Sequence, residues 1–172
     1  MSTFQELYDA DISRYTPGKV PGWNRKFHYY LRKTQTCRNR LLKTWYHLCF
    51  RIISDRHRME ISHGALIGKG FCLRDPFTIT VNSNAVIGED VTFGKNVTIG
   101  KQNRGALKGT PTIGNRVCIE DNAVIVGKIR IGDDVRISAN AYVNRDIPDH
   151  AFVSGNPGMI ITCQPQNESR SN

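Results

Sequence analysis

From Ile61 onward one aliphatic or aromatic residue returns at every sixth position. It does so at Ile61, Ile67 and Leu73, then at Val81, Ile87, Phe93 and Ile99, then at Ile113, Ile119, Ile125, Ile131, Ile137 and Val143. Four residues after most of these comes a second small or apolar residue, as at Ala65, Ala85, Val91, Val97, Val117, Ala123, Ile129, Val135, Ala141 and Ile147. Gly often follows the first position (Gly68, Gly88, Gly94, Gly100, Gly114, Gly132), and Asn or Asp often precedes the second, as in GEDV, GKNV and GDDV. A helix repeats every 3.6 residues and a strand every two, so neither alone produces this step.

A six-residue period is the mark of a parallel β-helix. Three hexads make one triangular coil of about 18 residues, with the aliphatic residue inside. The Gly and Asn positions turn the corners, where positive φ or tight sterics are required. Coils stack about 4.8 Å apart, so some five of them form a column roughly 25 Å tall. The apolar content of 39% over 172 residues is low for a packed sphere. It suits an extended column, or one that buries surface against copies of itself. The expected fold class is an all-β ladder with an α-helical N-terminal cap.

The ladder breaks twice, and interruptions of a repeat are where function concentrates. Between Leu73 and Val81 the step is eight residues, so part of LRDPFTITV bulges out. Between Ile99 and Ile113 it is fourteen, and the excursion KQNRGALKGTPT carries Lys101, Arg104 and Lys108 with Gly105 and Gly109 and no acid. This loop reads either as plain surface or as a basic, glycine-bearing grip for a phosphate or an acidic acceptor.

Ahead of the ladder, residues 2–12 read as a short helix. Ser2 or Thr3 caps it, with Gln5 or Glu6 completing a capping box. Residues 14–23 form a turn-rich connector, and 24–36 and 38–56 read as two further helices. In the last, Leu41, Leu42, Trp45, Leu48, Cys49 and Ile52 share one side. From Arg14 to Arg58 there are twelve Lys/Arg against one acid, Asp55, with Tyr29, Tyr30, Trp45 and Tyr46 among them. Two readings stand: a solvated face with aromatics packed on the first coil, or a basic amphipathic surface for a membrane or polyanion. No nucleic-acid motif accompanies the charge, and no nucleic-acid partner is expected. The net charge of +9 favours an anionic partner.

The five cysteines (Cys37, Cys49, Cys72, Cys118, Cys163) are scattered with no CxxC pair, which points to free thiols in a reducing compartment and to no metal site. Glu6, Asp9 and Asp11 interrupt any leader-like stretch, and no apolar run reaches the roughly 20 residues of a membrane span. The expected location is cytoplasmic, with peripheral contact at the inner membrane face through the basic cap. The expected domains are a helical cap at 1–58, the β-helix at 59–161 and a flexible tail at 162–172.

The stretches MEISHGALIGKG, AVIGEDVTFGKNVTIG and KGTPTIGNRVCIEDNAVIVGKIRIGDDVRISANAYVNRDIPDHAFVSGNPGMII resemble the hexapeptide-repeat acyltransferases. The closest branch holds serine acetyltransferases and the O-acetyltransferases of capsule and exopolysaccharide clusters. The resemblance implies a left-handed winding, a homotrimer, and acetyl-CoA in the groove between neighbouring columns. It implies cofactor contacts, mostly main-chain, at Gly100, Asn103 in the following loop, Asp121, Ala139, and Asn156 with Pro157. The expected activity is acetyl-CoA-dependent O-acetylation of a sugar hydroxyl in a surface-polysaccharide precursor. The alternatives are serine O-acetylation and a non-catalytic trimer that binds CoA or acts as a scaffold.

In such relatives a histidine, oriented by an earlier carboxylate, takes the acceptor's proton. Here Glu60 fills the carboxylate position, Asp75 fills the histidine position, and Thr110 fills that of a second histidine. The candidate bases are therefore Asp75, paired with Glu60, or His63, donated across a subunit interface.

Overall fold

The computed structural model describes residues 3–16 and 20–163, with side chains to residue 161. Pro17, Gly18 and Lys19 of the expected connector, the Cys163 side chain and residues 164–172 lie outside the described residues. Three helices lead the chain: α1 (Phe4–Ser13), α2 (Gly22–Thr36) and α3 (Arg40–Arg56). α1 starts on the expected capping box. The Thr3 hydroxyl accepts from the Glu6 N–H while the Glu6 carboxylate accepts from the Thr3 N–H, so two otherwise orphaned donors are satisfied. α3 starts at Asn39, whose side-chain oxygen accepts from the N–H groups of Leu41 and Leu42.

Short strands then follow at the hexad spacing. The first coil holds β1 (Glu60–Ile61), β2 (Leu66–Ile67) and β3 (Cys72–Leu73), and the second β4 (Thr80–Val81), β5 (Val86–Ile87) and β6 (Thr92–Phe93). The third holds β7 (Thr98–Gly100), β8 (Thr112–Ile113) and β9 (Cys118–Ile119), and the fourth β10 (Val124–Val126), β11 (Arg130–Ile131) and β12 (Arg136–Ile137). β13 (Tyr142–Val143) and β14 (Ala151–Ser154) form the fifth coil, and β15 (Met159–Cys163) folds back antiparallel on β14.

The strands sort into three walls. The first wall is β1-β4-β7-β10-β13, the second β2-β5-β8-β11, and the third β3-β6-β9-β12-β14-β15. Within each wall successive coils pair in parallel with hexad residues in register, as Ile61↔Val81 and Ile99↔Ile125. This is the expected left-handed parallel β-helix of five coils. Its interior is one continuous column of hexad residues, with Leu73, Phe93, Ile99, Ile119, Ile125, Ile131, Ile137 and Val143 wholly buried. The cap closes one end by inserting Phe27, Leu31, Phe50 and Met59 into that core.

The corners divide the labour between Asn/Asp and Gly. Positive φ is carried at several corners by Asp90, Asn96, Asn122, Asp134 and Asn140, whose short polar side chains tolerate the left-handed region, and at others by Thr78, Arg116 and His150. Gly88 serves close approach instead, because a Cβ there would overlap the Gly114 carbonyl oxygen of the next coil.

The cap is locked to the first coil by a buried polar knot. The fully buried Arg32 donates to both oxygens of Asp11 at 2.7 Å and to the carbonyls of Ile67 and Gly68 at 2.8 and 2.6 Å. Asp11 also accepts from the Phe71 N–H and contacts His28 Nδ1 at 3.1 Å. Burial works to raise the Asp11 pKa, but His28 and Arg32 outweigh it and hold the carboxyl below its ordinary range.

The apolar stripe of α3 is left largely exposed. Leu41, Trp45, Leu48 and Ile52 are 84%, 59%, 51% and 50% exposed, while the helix buries Phe50 and Ser54 on its opposite side. Of the cap aromatics, Tyr30 packs against the core while Trp45 is exposed. No described helix is long and apolar enough to cross a membrane.

Candidate active site

The triangular winding places the expected site residues on two edges of the prism. Residues that leave the third wall for the first form one edge, and the eight-residue bulge sits at its capped end. The Asn96 N–H donates to the Phe77 carbonyl, Asn122 to Lys95 and Asn140 to Asp121, each at 2.8–2.9 Å. Thr78, Asn96, Asn122 and Asn140 repeat positive φ up this edge. The Asn96, Asn122 and Asn140 amides form a side-chain ladder at 3.0 and 3.2 Å. Asp75, Asp121 and Ala139 therefore lie along one edge. Asn156 and Pro157 continue it, since the Tyr142 N–H of β13 donates to Gly155 and Gly158 donates back to Tyr142.

The opposite edge, from the first wall to the second, carries His63 in the first coil and Gly100 with the 101–110 loop in the third. Glu60 lies beside His63 on the exposed face of β1. One wall's width, roughly 15–20 Å at about 3.3 Å per residue, separates His63 and the Gly100 loop from the Asp75 edge, while Glu60 stands on that wall with its N–H donating to the Ile79 carbonyl at 2.7 Å. The expected pairing of Glu60 with Asp75 is not made: no hydrogen bond joins them among the described residues, and they line different clefts.

Asp75 opens onto a cleft of about 400 Å³, with Tyr15, Trp23, Asn24, His57, Arg74 and Phe77 around it. The bulge is held rigidly on both sides. The Arg74 N–H donates to Phe93 and the Phe77 N–H to the Asp75 carbonyl, both at 2.9 Å, and the Thr78 N–H donates to His57 at 3.1 Å. The Arg74 guanidinium reaches Glu120 at 2.9 Å, and Arg136 reaches the other oxygen of that carboxylate at 3.0 Å. Partial burial works to raise the Glu120 pKa, but the two guanidiniums outweigh it and keep the carboxyl below its ordinary range. Among the described residues the Asp75 carboxylate makes no hydrogen bond or ion pair, so it is available to a ligand.

Glu60 and His63 line a second cleft, of about 590 Å³, between α3 and the first coil. His47 from α3 meets His63 there edge to face, with ring centroids 4.6 Å apart. The Ser54 hydroxyl, which also lines it, is buried with no partner in the structure.

The cofactor candidates present mixed surfaces. Ala139, Asn156 and Pro157 are exposed corner positions. The Asp121 carboxylate is already used by its own corner, accepting from the Lys95 N–H at 3.0 Å and lying 3.6 Å from Lys95 Nζ. The 101–110 loop is a closed finger. Gln102 and Gly109 exchange backbone hydrogen bonds, Leu107 packs on the core, and Asn103 is exposed near the tip.

Sequence reasoning missed His57 and Trp23. They stack with ring centroids 4.3 Å apart and a 34° interplanar angle, and both line the Asp75 cleft. Both lie outside the hexad period, at helix ends where no spacing singles them out. It also missed the Arg74–Glu120–Arg136 cluster. Residues 74, 120 and 136 lie beside the aliphatic positions of stacked third-wall strands, and that stacking is the signal that finds them.

Residues 110–145 match the family described as bacterial transferase hexapeptide (six repeats). The chain is 38% identical over 103 residues to a serine acetyltransferase of Mycobacterium tuberculosis, covering 60% of this chain and 45% of that protein. It is 38% identical over 104 residues to a serine acetyltransferase of Helicobacter pylori, covering 60% of this chain and 61% of that protein. It therefore spans about half to three-fifths of the length of these relatives. A serine acetyltransferase solved as a complex with CoA superposes with a TM-score of 0.73 at 24% identity, covering 92% of this chain and 67% of that one. At that identity the likeness shows the fold.

Proposed function

We propose that this chain, which belongs to the hexapeptide-repeat acyltransferase family, transfers the acetyl group of acetyl-CoA to a small hydroxyl acceptor. One observation carries the reading. Asp75, Asp121, Ala139 and Asn156–Pro157 lie in a row on one edge of the prism, from the aromatic cleft beside the cap to the far end of the column. Such a row suits an elongated carrier, with its thioester at the Asp75 end and its nucleotide at the Asn156 end. The edge carrying His63, Gly100 and Asn103 lies too far away to join it within one chain. Both edges meet in a groove only when columns pack side by side. We therefore infer a homotrimer, supported by the exposed apolar pair Leu66 and Val86, adjacent in register on the second wall.

L-serine is the acceptor to test first, because the curated relatives are serine acetyltransferases. A sugar hydroxyl of a surface-polysaccharide precursor is the second reading. It is favoured by Trp23 and Phe77, two aromatic side chains that line the polar Asp75 cleft. The cytoplasm is the proposed setting, in keeping with Cys37, Cys49, Cys72 and Cys118, which form no disulfide among the described residues. The cap is proposed to rest on an anionic membrane surface. The α3 stripe supplies the apolar face, and Arg40, Lys43, Arg51 and Arg56 lie around it.

Release of CoA thiol from acetyl-CoA, measured with serine and with a panel of sugars, tests the reading. Transfer to serine alone, or to a sugar alone, selects the acceptor. CoA binding by calorimetry without thiol release for any acceptor would leave a CoA-binding scaffold.

A further inference from the structure

We infer that His57 is the general base of the Asp75 cleft, an inference that rests on the acetyl-transfer reading above. Acetyl transfer needs a group that accepts a proton near neutral pH, and an imidazole is the side chain suited to that task. Asp75 and Thr110 occupy the two positions where a histidine was expected. Yet the cleft is not without an imidazole. His57 enters it from the end of α3, as the C-cap residue of that helix.

Three features prepare His57 for the role. Its carbonyl accepts from the Thr78 N–H at 3.1 Å, which ties it to the bulge bearing Asp75. Its ring lies against the Trp23 indole, 4.3 Å between centroids, which limits ring rotation. Neither ring nitrogen makes a hydrogen bond among the described residues, so one is open to a substrate proton. His57 and Asp75 line the same cleft of about 400 Å³, and no hydrogen bond joins them among the described residues. The charged and titratable groups around the ring are Tyr15, Arg74 and Asp75 on this side and Lys26, Tyr30, Cys49 and Arg56 on the other.

The alternatives in and near the cleft are weaker. The Tyr15 hydroxyl accepts from the Leu73 N–H at 2.8 Å and lies 2.9 Å from His28 Nε2, and burial pushes its pKa far up. His63 is exposed on the opposite edge, packed against His47.

In the step that follows, the acceptor oxygen attacks the thioester carbonyl carbon while its proton passes to the open ring nitrogen of His57. The C–O bond forms and the C–S bond breaks. The CoA sulfur leaves and takes the proton back from the imidazolium, so CoA departs as the thiol. Asp75 faces the imidazolium across the cleft and stabilises its transient charge.

The test compares wild type with His57→Gln, His57→Ala and His63→Ala, reading kcat and kcat/KM against pH, and CoA affinity by calorimetry. In His57→Gln kcat falls about 100- to 10,000-fold, and the acid limb of the pH profile disappears. CoA affinity stays within about twofold. Added imidazole restores part of the rate to His57→Ala, which loss of a merely structural group would not permit. His63→Ala keeps its rate within about threefold. A His57→Gln enzyme with wild-type kcat and an unchanged acid limb overturns the inference. So does loss of the limb in His63→Ala instead. Wild-type protein that transfers acetyl to no acceptor overturns the acetyltransferase reading, and this inference with it.

Discussion

Arg74 and Glu120 are joined at 2.9 Å across two coils, and this link braces the residue before Asp75 against the third wall. Arg136 shares the carboxylate from the far side. The Arg74 side chain is half exposed, so solvent screens the pair and its contribution is modest. Glu120→Gln is expected to lower stability by about 1 kcal/mol in urea denaturation. A loss above about 3 kcal/mol would mean the cluster is a core element rather than a brace.

Asp11 and Arg32 behave differently, because both side chains are fully buried. Asp11→Asn leaves Arg32 as an uncompensated buried charge, and the expected loss is about 3–5 kcal/mol. A shift in the denaturation midpoint equivalent to less than 1 kcal/mol would contradict this account of how the cap is locked on.

The same knot makes stability depend on pH. Burial lowers the His28 pKa below its ordinary 6.5, so the unfolded chain takes up a proton there before the folded one does. Stability is full above pH 6.5 and falls as the solution is acidified, by about 1.4 kcal/mol per pH unit at most. Asp11, also lowered, adds a further loss below its ordinary 3.8. Urea melts at pH 7.5 and 5.5 should show the first slope in wild type and its absence in His28→Gln.

Two glycines should respond in opposite directions to alanine. Gly88→Ala drives a methyl into the Gly114 carbonyl and is expected to cost about 1–3 kcal/mol. Gly22, at the start of α2, has open space around it, so Gly22→Ala is expected to stabilise by about 0.4–1 kcal/mol. Thermal melts of the two variants check both signs.

The α3 stripe predicts salt-sensitive association with vesicles of anionic lipid. Trp45→Glu should abolish sedimentation with such vesicles. It should leave folding stability within about 0.5 kcal/mol, because Trp45 is 59% exposed. Equal sedimentation of wild type and variant would remove the membrane contact.

Much of the column was legible because its period is a local property. Ile99, Ile125 and Val143 stand in register in the first wall because each coil restates the same inward position. The Thr3–Glu6 capping box was legible for the same reason, its partners lying three residues apart. The site was legible only in part. The bulge at 74–78 announced itself by breaking the step, and Asp75 was found there. Its neighbours were not: Tyr15, Trp23 and His57 come from three separate stretches of the cap, and nothing in their spacing relates them.

The repeat alone therefore determined that the chain winds into a β-helix, because burying one residue in six allows a single way of stacking. It also determined that the chain departs from regularity after Leu73 and after Ile99. Only the tertiary structure decided which candidates share an edge, that Glu60 and Asp75 line different clefts, and that an imidazole from the cap reaches the Asp75 cleft. It also decided which face of α3 is left uncovered. Three-four spacing marks an apolar side of a helix, but the docking of Phe27, Phe50 and Met59 into the first coil selects the face that is buried. Long-range contacts of that kind depend on how the chain closes on itself, and local spacing carries no record of them.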